Sequence, residues 1–257
     1  MGEEHNHRRI LYSMVYDMRE QENITFKTEN GIAILCPETP LWIMLAQGKT
    51  MAEAQLFFRA AMPHFGAPLI GLVAERETAI TCADIYLAEK KSARCRQKEI
   101  VSRYLPPETA LQLCRAPGEI RPANTPDMPV ILEWLNNFYE ETLGISCPKK
   151  AFGANPNPPR EKRFSFANLF VLHDKKPVAM GMLTGAGKTA RMNLIYVPPA
   201  ERGKGYGKTI VSGLAARVRE AKQMPVLYAE RDNIAAAGLY EGLGFCEAGK
   251  LTEFRFS

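Results

Sequence analysis

Reactive and metal-binding side chains are scarce here, and their spacing excludes more than their number does. The six cysteines are scattered, with no C-x-x-C pair, and the four histidines form no H-E-x-x-H. No structural metal is therefore expected, and no disulfide framework is legible. No apolar run approaches the ~18–20 residues that span a bilayer. The start, Met1–Arg9, is too polar for a secretory leader. Gly2 opens like an acylation signal, but Asn6 stands where serine or threonine is required. Reduced thiols in a cytoplasmic protein follow as the expectation.

Charge of one sign is also limited. Lys and Arg number 33 against 28 Asp and Glu, a net charge of +5. That suits an anionic ligand but is weaker than the basic stripe of a nucleic-acid binder. The most basic stretch, 148–163, holds five cations but lacks the interleaved aromatics that base stacking needs. With 46% hydrophobic and 24% charged residues over 257 positions, the composition is globular and the length accommodates two domains of about 100–150 residues.

What is present is concentrated between Leu194 and Thr209. Leu-Ile-Tyr-Val reads as a buried strand, and Pro198-Pro199 stops it because neither proline can donate to a sheet ladder. Gly203, Gly205 and Gly207 follow at alternate positions, and a helix pattern begins directly after them. Strand, glycine turn and helix is the layout of a phosphate cradle: glycines let backbone N–H groups approach an anion, and a helix start supplies unpaired N–H groups. Arg202, Lys204 and Lys208 add positive charge.

In chain order, residues 1–30 are polar, with a weak helical face through Ile10, Leu11, Met14, Val15 and Met18. Strands are expected at 31–35, 41–45, 69–74 and 99–104, and helices at 50–62 and 78–91. Thr50 should cap the first helix, with Glu53 completing a capping box. Ala116–Asp127 concentrates proline, glycine and polar residues and marks the boundary between an N-terminal α/β domain, 1–115, and a C-terminal domain, 119–257. There a helix over 126–143, capped by Thr125 or Asp127, precedes the irregular 148–163 stretch. Strands follow at 169–172, 178–183 and 194–197. The segment 185–188 reads as a turn. A helix over 208–222 buries Ile210, Val211, Leu214, Ala215 and Val218 and turns Arg217, Arg219 and Lys222 outward. A strand at 226–229, a short helix at 233–241 and a strand at 251–256 complete the chain.

Three phosphate-loop patterns compete. A Walker A loop ends as Gly207-Lys208-Thr209 does, but its first glycine would fall on Arg202. A dinucleotide fingerprint fails on the spacing of its third glycine. The pattern [R/Q]-x-x-G-x-G/A is met by Arg202-Gly203-Lys204-Gly205-Tyr206-Gly207, and after the next strand come Asn233 and Leu239-Tyr240-Glu241-Gly242-Leu243-Gly244-Phe245. With these residues, 119–257 resembles the GNAT superfamily of acyl-CoA-dependent N-acetyltransferases.

That resemblance implies an α/β (α+β) fold with a mixed, largely antiparallel sheet flanked by helices. It implies acetyl-CoA as co-substrate and direct transfer of the acetyl group to a primary amine. Arg202, Gly203, Lys204, Gly205, Tyr206, Gly207, Lys208 and Thr209 would hold the coenzyme's pyrophosphate, chiefly through the backbone. Ile195, Tyr196 and Val197 would pair with the pantetheine arm. Asn233 would hold that arm or cap its own helix, and Tyr240 would protonate the departing thiolate, its alternative being a packed helix tyrosine.

The base is less legible. The places where the family often carries a glutamate read Arg191-Met-Asn193 and Val226-Leu-Tyr228, leaving Glu230, acting through a water, as the nearest carboxylate. Without a clear base, a catalytically silent coenzyme A-binding sensor or scaffold is the alternative. The first half holds no glycine loop, yet Ala74-Glu75-Arg76 with Tyr86 echoes Ala229-Glu230-Arg231 with Tyr240, as a degenerate copy of the same fold would. The amine acceptor is not legible, nor is the oligomeric state, with which a dimer is compatible.

Overall fold

A computed structural model describes residues 23–36, 39–66, 68–90, 95–114, 116–143, 168–185 and 187–256. The helical face read over 10–18 and the basic stretch 148–163 lie outside them. The fold is mixed α/β with a largely antiparallel pattern of strands, eleven among the described residues. The chain divides into two compact units. One comprises Met1–Arg103, Tyr228–Ala237 and Glu247–Ser257, the other Tyr104–Leu227 and Gly238–Cys246.

In the first unit β1 (Ile24–Thr28), β2 (Gly31–Leu35) and β3 (Leu41–Leu45) form an antiparallel meander. Helix α1 (Met51–Ala61) follows, capped by the expected Thr50–Glu53 box. Strand β4 (Gly71–Ala74) lies parallel to β3, and α2 (Arg76–Lys90) comes next. Strand β5 (Cys95–Tyr104) neighbours β11 (Cys246–Phe256), which pairs antiparallel with β4 through Thr252↔Ala74 to Arg255↔Gly71. The core gathers Phe57, Phe58 and Phe65 with Leu72, Tyr86 and Phe254. Each fully buried large apolar side chain contributes about 1.5–3 kcal/mol.

The second unit orders its strands β6 (Glu119–Pro122), β7 (Leu169–Asp174), β8 (Lys176–Thr184), β9 (Thr189–Tyr196) and the part of β10 (Met224–Glu230) up to Leu227, with β6 at the edge. Strand β6 falls inside the stretch read only as a boundary. Its pairing with β7 is long-range, and an edge position accommodates Pro122. Residues 187 and 188 form a turn ahead of β9, within the segment expected to turn. Helix α3 (Met128–Leu143) lays Ile131, Trp134 and Leu135 against Met180, Met182 and Tyr196. It is entered through a 3₁₀ turn, Thr125–Asp127, whose Asp127 carboxylate accepts from the Asn124 N–H at 2.9 Å.

Helix α4 (Tyr206–Glu220) lies on the other face of β8. A Cβ on Gly181 would meet Leu214 at 2.7 Å and Ile195 at 2.8 Å, so glycine there lets helix and strand close up. The five expected buried positions of α4 are buried. Arg219 is not simply outside: its guanidinium donates to the carbonyls of Thr109 (2.7 Å) and Pro106 (2.6 Å). Helix α5 (Ile234–Glu241) completes the element order.

Candidate active site

The sheet prepares the site before any side chain enters. Between Met182↔Asn193 and Met180↔Tyr196, two residues of β9 stand against the single Gly181 of β8, a β-bulge. Leu194 sits within it at φ 49, in the left-handed region leucine rarely occupies. The parallel ladder from β9 to β10 covers three pairs, Thr189↔Met224 to Arg191↔Val226, while β9 runs on to Tyr196. The far end of β9 thus carries backbone turned out of its ladder with β8 and lying past its ladder with β10.

From there the chain turns through Pro198 and a 3₁₀ turn, Pro199–Glu201, into the glycine loop. Gly203 (φ 80) and Gly205 (φ 85) take the left-handed conformation, which is why the turn needs glycine at those two places. Gly205 is the N-cap of α4 and brings no side chain to cap it. The first-turn N–H groups are therefore left without a side-chain acceptor, at the positive end of a fifteen-residue helix.

The three loop cations differ in their partners. Arg202 donates through Nε to the Val197 carbonyl (2.9 Å) and through Nη2 to Glu141 Oε2 (2.6 Å), and lies over the Tyr196 ring. Lys204 pairs with Glu201 (2.8 Å), which Lys176 also holds (2.9 Å). Lys204 first and Lys176 second keep the Glu201 carboxyl below the usual carboxylate range. Lys208 is exposed and makes no ion pair among the described residues. Its Nζ lies 3.8 Å from where a Gly242 Cβ would stand, just past Tyr240. Of the three, Lys208 is the cation available to an incoming anion.

The remaining loop residues anchor it. Tyr196 is buried and donates to Glu141 Oε1 at 3.1 Å, and burial together with that carboxylate pushes its phenol up. Tyr206 donates to Asp174 Oδ2 at 2.8 Å, which likewise raises it. Thr209 donates to the Gly205 carbonyl (3.2 Å) and accepts from the Ala116 N–H (2.9 Å). Gly207 packs near Leu239 and Val197. Glu141, Asp174 and Ala116 were missed in the sequence because they lie 32 to 93 positions away, and only the charge complementarity of Glu141 and Arg202 could have hinted at one of them.

Tyr240 is 7% exposed and stands edge-on to Phe245, centroids 6.0 Å apart. The second unit thus brings together Ile195–Val197, the loop, Lys208, Thr209 and Tyr240. Asn233 and Glu230 belong to the first unit. The Asn233 side chain accepts from the Ala236 N–H at 3.0 Å and so caps α5, one of its two expected roles. Glu230 is ion-paired with Lys98 through Oε1. Among the described residues no group of three or more His, Cys, Asp or Glu is placed to hold a metal, and no helix is long and apolar enough to cross a membrane.

The acetyltransferase (GNAT) family model matches residues 128–245. Among solved structures, a GNAT-family acetyltransferase from Colwellia psychrerythraea is 16% identical, with a TM-score of 0.56 over 93% of this chain and 87% of that one. A GCN5-related N-acetyltransferase from Kribbella flavida is 13% identical, with a TM-score of 0.62 over 96% and 94%. One from Sphaerobacter thermophilus is 11% identical, with a TM-score of 0.54 over 89% and 81%. At such identities the likeness is one of fold. No curated protein matches the chain.

Proposed function

On the match of residues 128–245 to the acetyltransferase (GNAT) family model, we propose that the chain transfers an acetyl group from acetyl-CoA directly to a primary amine. One observation carries the reading: the start of α4, capped only by Gly205, opens at the end of a bulged strand whose ladder with β10 has already stopped. A pyrophosphate fits that helix start. Backbone N–H groups of the loop donate to it, Lys208 supplies the charge, and each charge-assisted bond contributes about 1.5–3 kcal/mol. The backbone of Ile195–Val197, lying past the ladder with β10, offers the pantetheine arm a strand to lie along.

The chain's own residues then have two proton tasks. Tyr240, buried and hence shielded from bulk water, donates its phenolic proton to the leaving sulfur. An ammonium must lose a proton before it can attack. For this the sequence offers Glu230, acting through a water, as its nearest carboxylate. Reduced thiols and a cytoplasmic setting accord with this chemistry. The acceptor class stays at the level of an amine.

The test is thiol release from acetyl-CoA across a panel of amines, run with the wild-type chain and Tyr240→Phe. Turnover on one amine class, with kcat lowered about 10²-fold in the variant, supports the reading. Coenzyme A binding without turnover on any amine, unaffected by the variant, would leave a sensor.

A further inference from the structure

The element order of residues 24–90 recurs over residues 169–241. β1–β2–β3 is an antiparallel meander followed by α1, then β4 parallel to β3, then α2. β7–β8–β9 is an antiparallel meander followed by α4, then β10 parallel to β9, then α5. The loop before α1 therefore corresponds in element order to the glycine loop before α4, and the helix after the fourth strand carries a tyrosine in both, Tyr86 on α2 and Tyr240 on α5. Even the sequence Ala-Glu-Arg recurs at the end of the fourth strand in each.

The chemistry at the two helix starts is opposite. The glycine loop runs over nine residues, 197–205, and ends on a residue with no capping side chain. Its counterpart runs over five, 46–50, with Gly48 at φ 75, and ends on Thr50. There Glu53 folds back onto the helix start. Its Oε2 accepts from the Thr50 N–H (2.9 Å) and the Thr50 hydroxyl (3.0 Å), and its Oε1 from Lys49 Nζ (3.0 Å). The Glu53 N–H in turn donates to Thr50 Oγ1 (3.3 Å). A carboxylate held by a helix-start N–H and a lysine is what a phosphate would be in the same place. The Thr50 N–H, then Lys49, hold the Glu53 carboxyl down at about 2, so it stays an anion at any working pH.

The second hallmark is closed as well. The Tyr86 hydroxyl accepts from the Leu69 N–H (2.8 Å) and donates to the Leu69 carbonyl (3.3 Å), and its ring stacks on Phe256 with centroids 4.5 Å apart. Both the donor and the acceptor capacity of that phenol are engaged with backbone, so it is not available to a thiolate.

We infer that residues 24–90 form a second copy of the acetyltransferase fold whose coenzyme site is plugged by its own Glu53, so that each chain binds a single acyl-CoA, at the glycine loop. The inference rests on the acyl-CoA reading of the second loop. Calorimetric titration of the full chain with coenzyme A tests it, alongside Gly205→Val and, as a variant that leaves the loop backbone alone, Lys208→Glu. One site per chain is expected, with affinity lost in Gly205→Val and weakened at least tenfold in Lys208→Glu. Two sites, or one that survives in Gly205→Val at unchanged affinity, overturn the plugged copy. No binding to the wild-type chain at all overturns the coenzyme reading itself, and the inference with it.

Discussion

Arg202 Nη2 and Glu141 Oε2 lie 2.6 Å apart, joining the glycine loop to the last turn of α3. In the [R/Q]-x-x-G-x-G/A pattern this arginine is the natural choice for gripping phosphate. Here the guanidinium is turned back onto Glu141, the Val197 carbonyl and the Tyr196 ring, so it shapes the loop from behind.

Glu141→Gln should accordingly disturb binding more than stability. Both side chains are over two-fifths exposed, and such a pair is worth under about 1 kcal/mol. Steady-state kinetics should show KM for acetyl-CoA raised several-fold with kcat little changed, and the melting temperature should move by no more than a few degrees. A large fall in kcat at constant KM would instead give Glu141 a part in the proton transfers.

Lys208→Ala should weaken coenzyme A binding about tenfold, the size of one charged hydrogen bond. Raising the salt concentration should weaken the wild-type chain more than the variant, since exposed charge is screened. Lys204→Ala, whose ammonium is already paired with Glu201, should change affinity less. An affinity ranking in the reverse order would place the anion elsewhere.

Thr209 is a positioning residue. The segment before β6 is fastened along α4 by Thr109 to Arg219, Cys114 to Ser212 and Ala116 to Thr209, and the Thr209 hydroxyl passes that constraint on to the Gly205 carbonyl. Thr209→Val leaves the half-buried Ala116 N–H without its acceptor and frees Gly205. It should raise KM for acetyl-CoA and leave kcat intact, with Thr209→Ser restoring both hydrogen bonds and the KM. Equal KM values for the valine and serine variants would contradict this.

Acid stability should report on Asp127. Arg121 meets its carboxylate at 2.6 and 2.9 Å and holds its pKa below the ordinary value. A carboxyl lowered in the folded state binds fewer protons there than when unfolded. Its contribution is thus complete above pH ~4, the unfolded value, and is lost as pH falls through the folded one. Melting temperatures should decline on that limb. Asp127→Asn should flatten it and lower the neutral-pH melting temperature by roughly 2–6 °C, as expected for one charged hydrogen bond in a chain of this length.

Most of the elements were legible because their signals are local. The capping box at Thr50 and Glu53, the apolar face of α3 and the glycine turn before α4 each lie within one window of sequence, and the structure places each close to where its pattern predicts. What was not legible depends on partners far along the chain. β6 looks like linker until Leu172 and Val171 are seen beside Ile120 and Arg121. Arg219 reads as a surface residue until two carbonyls from more than a hundred positions away arrive at its guanidinium. The pattern at 202–207 showed where an anion could sit. It could not show that two of the nearby cations already have carboxylate partners.

Leu194 has a consequence for sequence drift. A leucine at φ 49 costs roughly 1–2 kcal/mol against an ordinary strand residue, while glycine or asparagine would not resist the angle. The usual ranking of substitutions for a half-buried strand position is therefore inverted at 194: the β-branched residues that strands favour are the ones excluded, and the small residues that strands disfavour are accepted. A saturation library read out for folding should show that inversion at this one position of β9, marking the bulge by the tolerance profile alone.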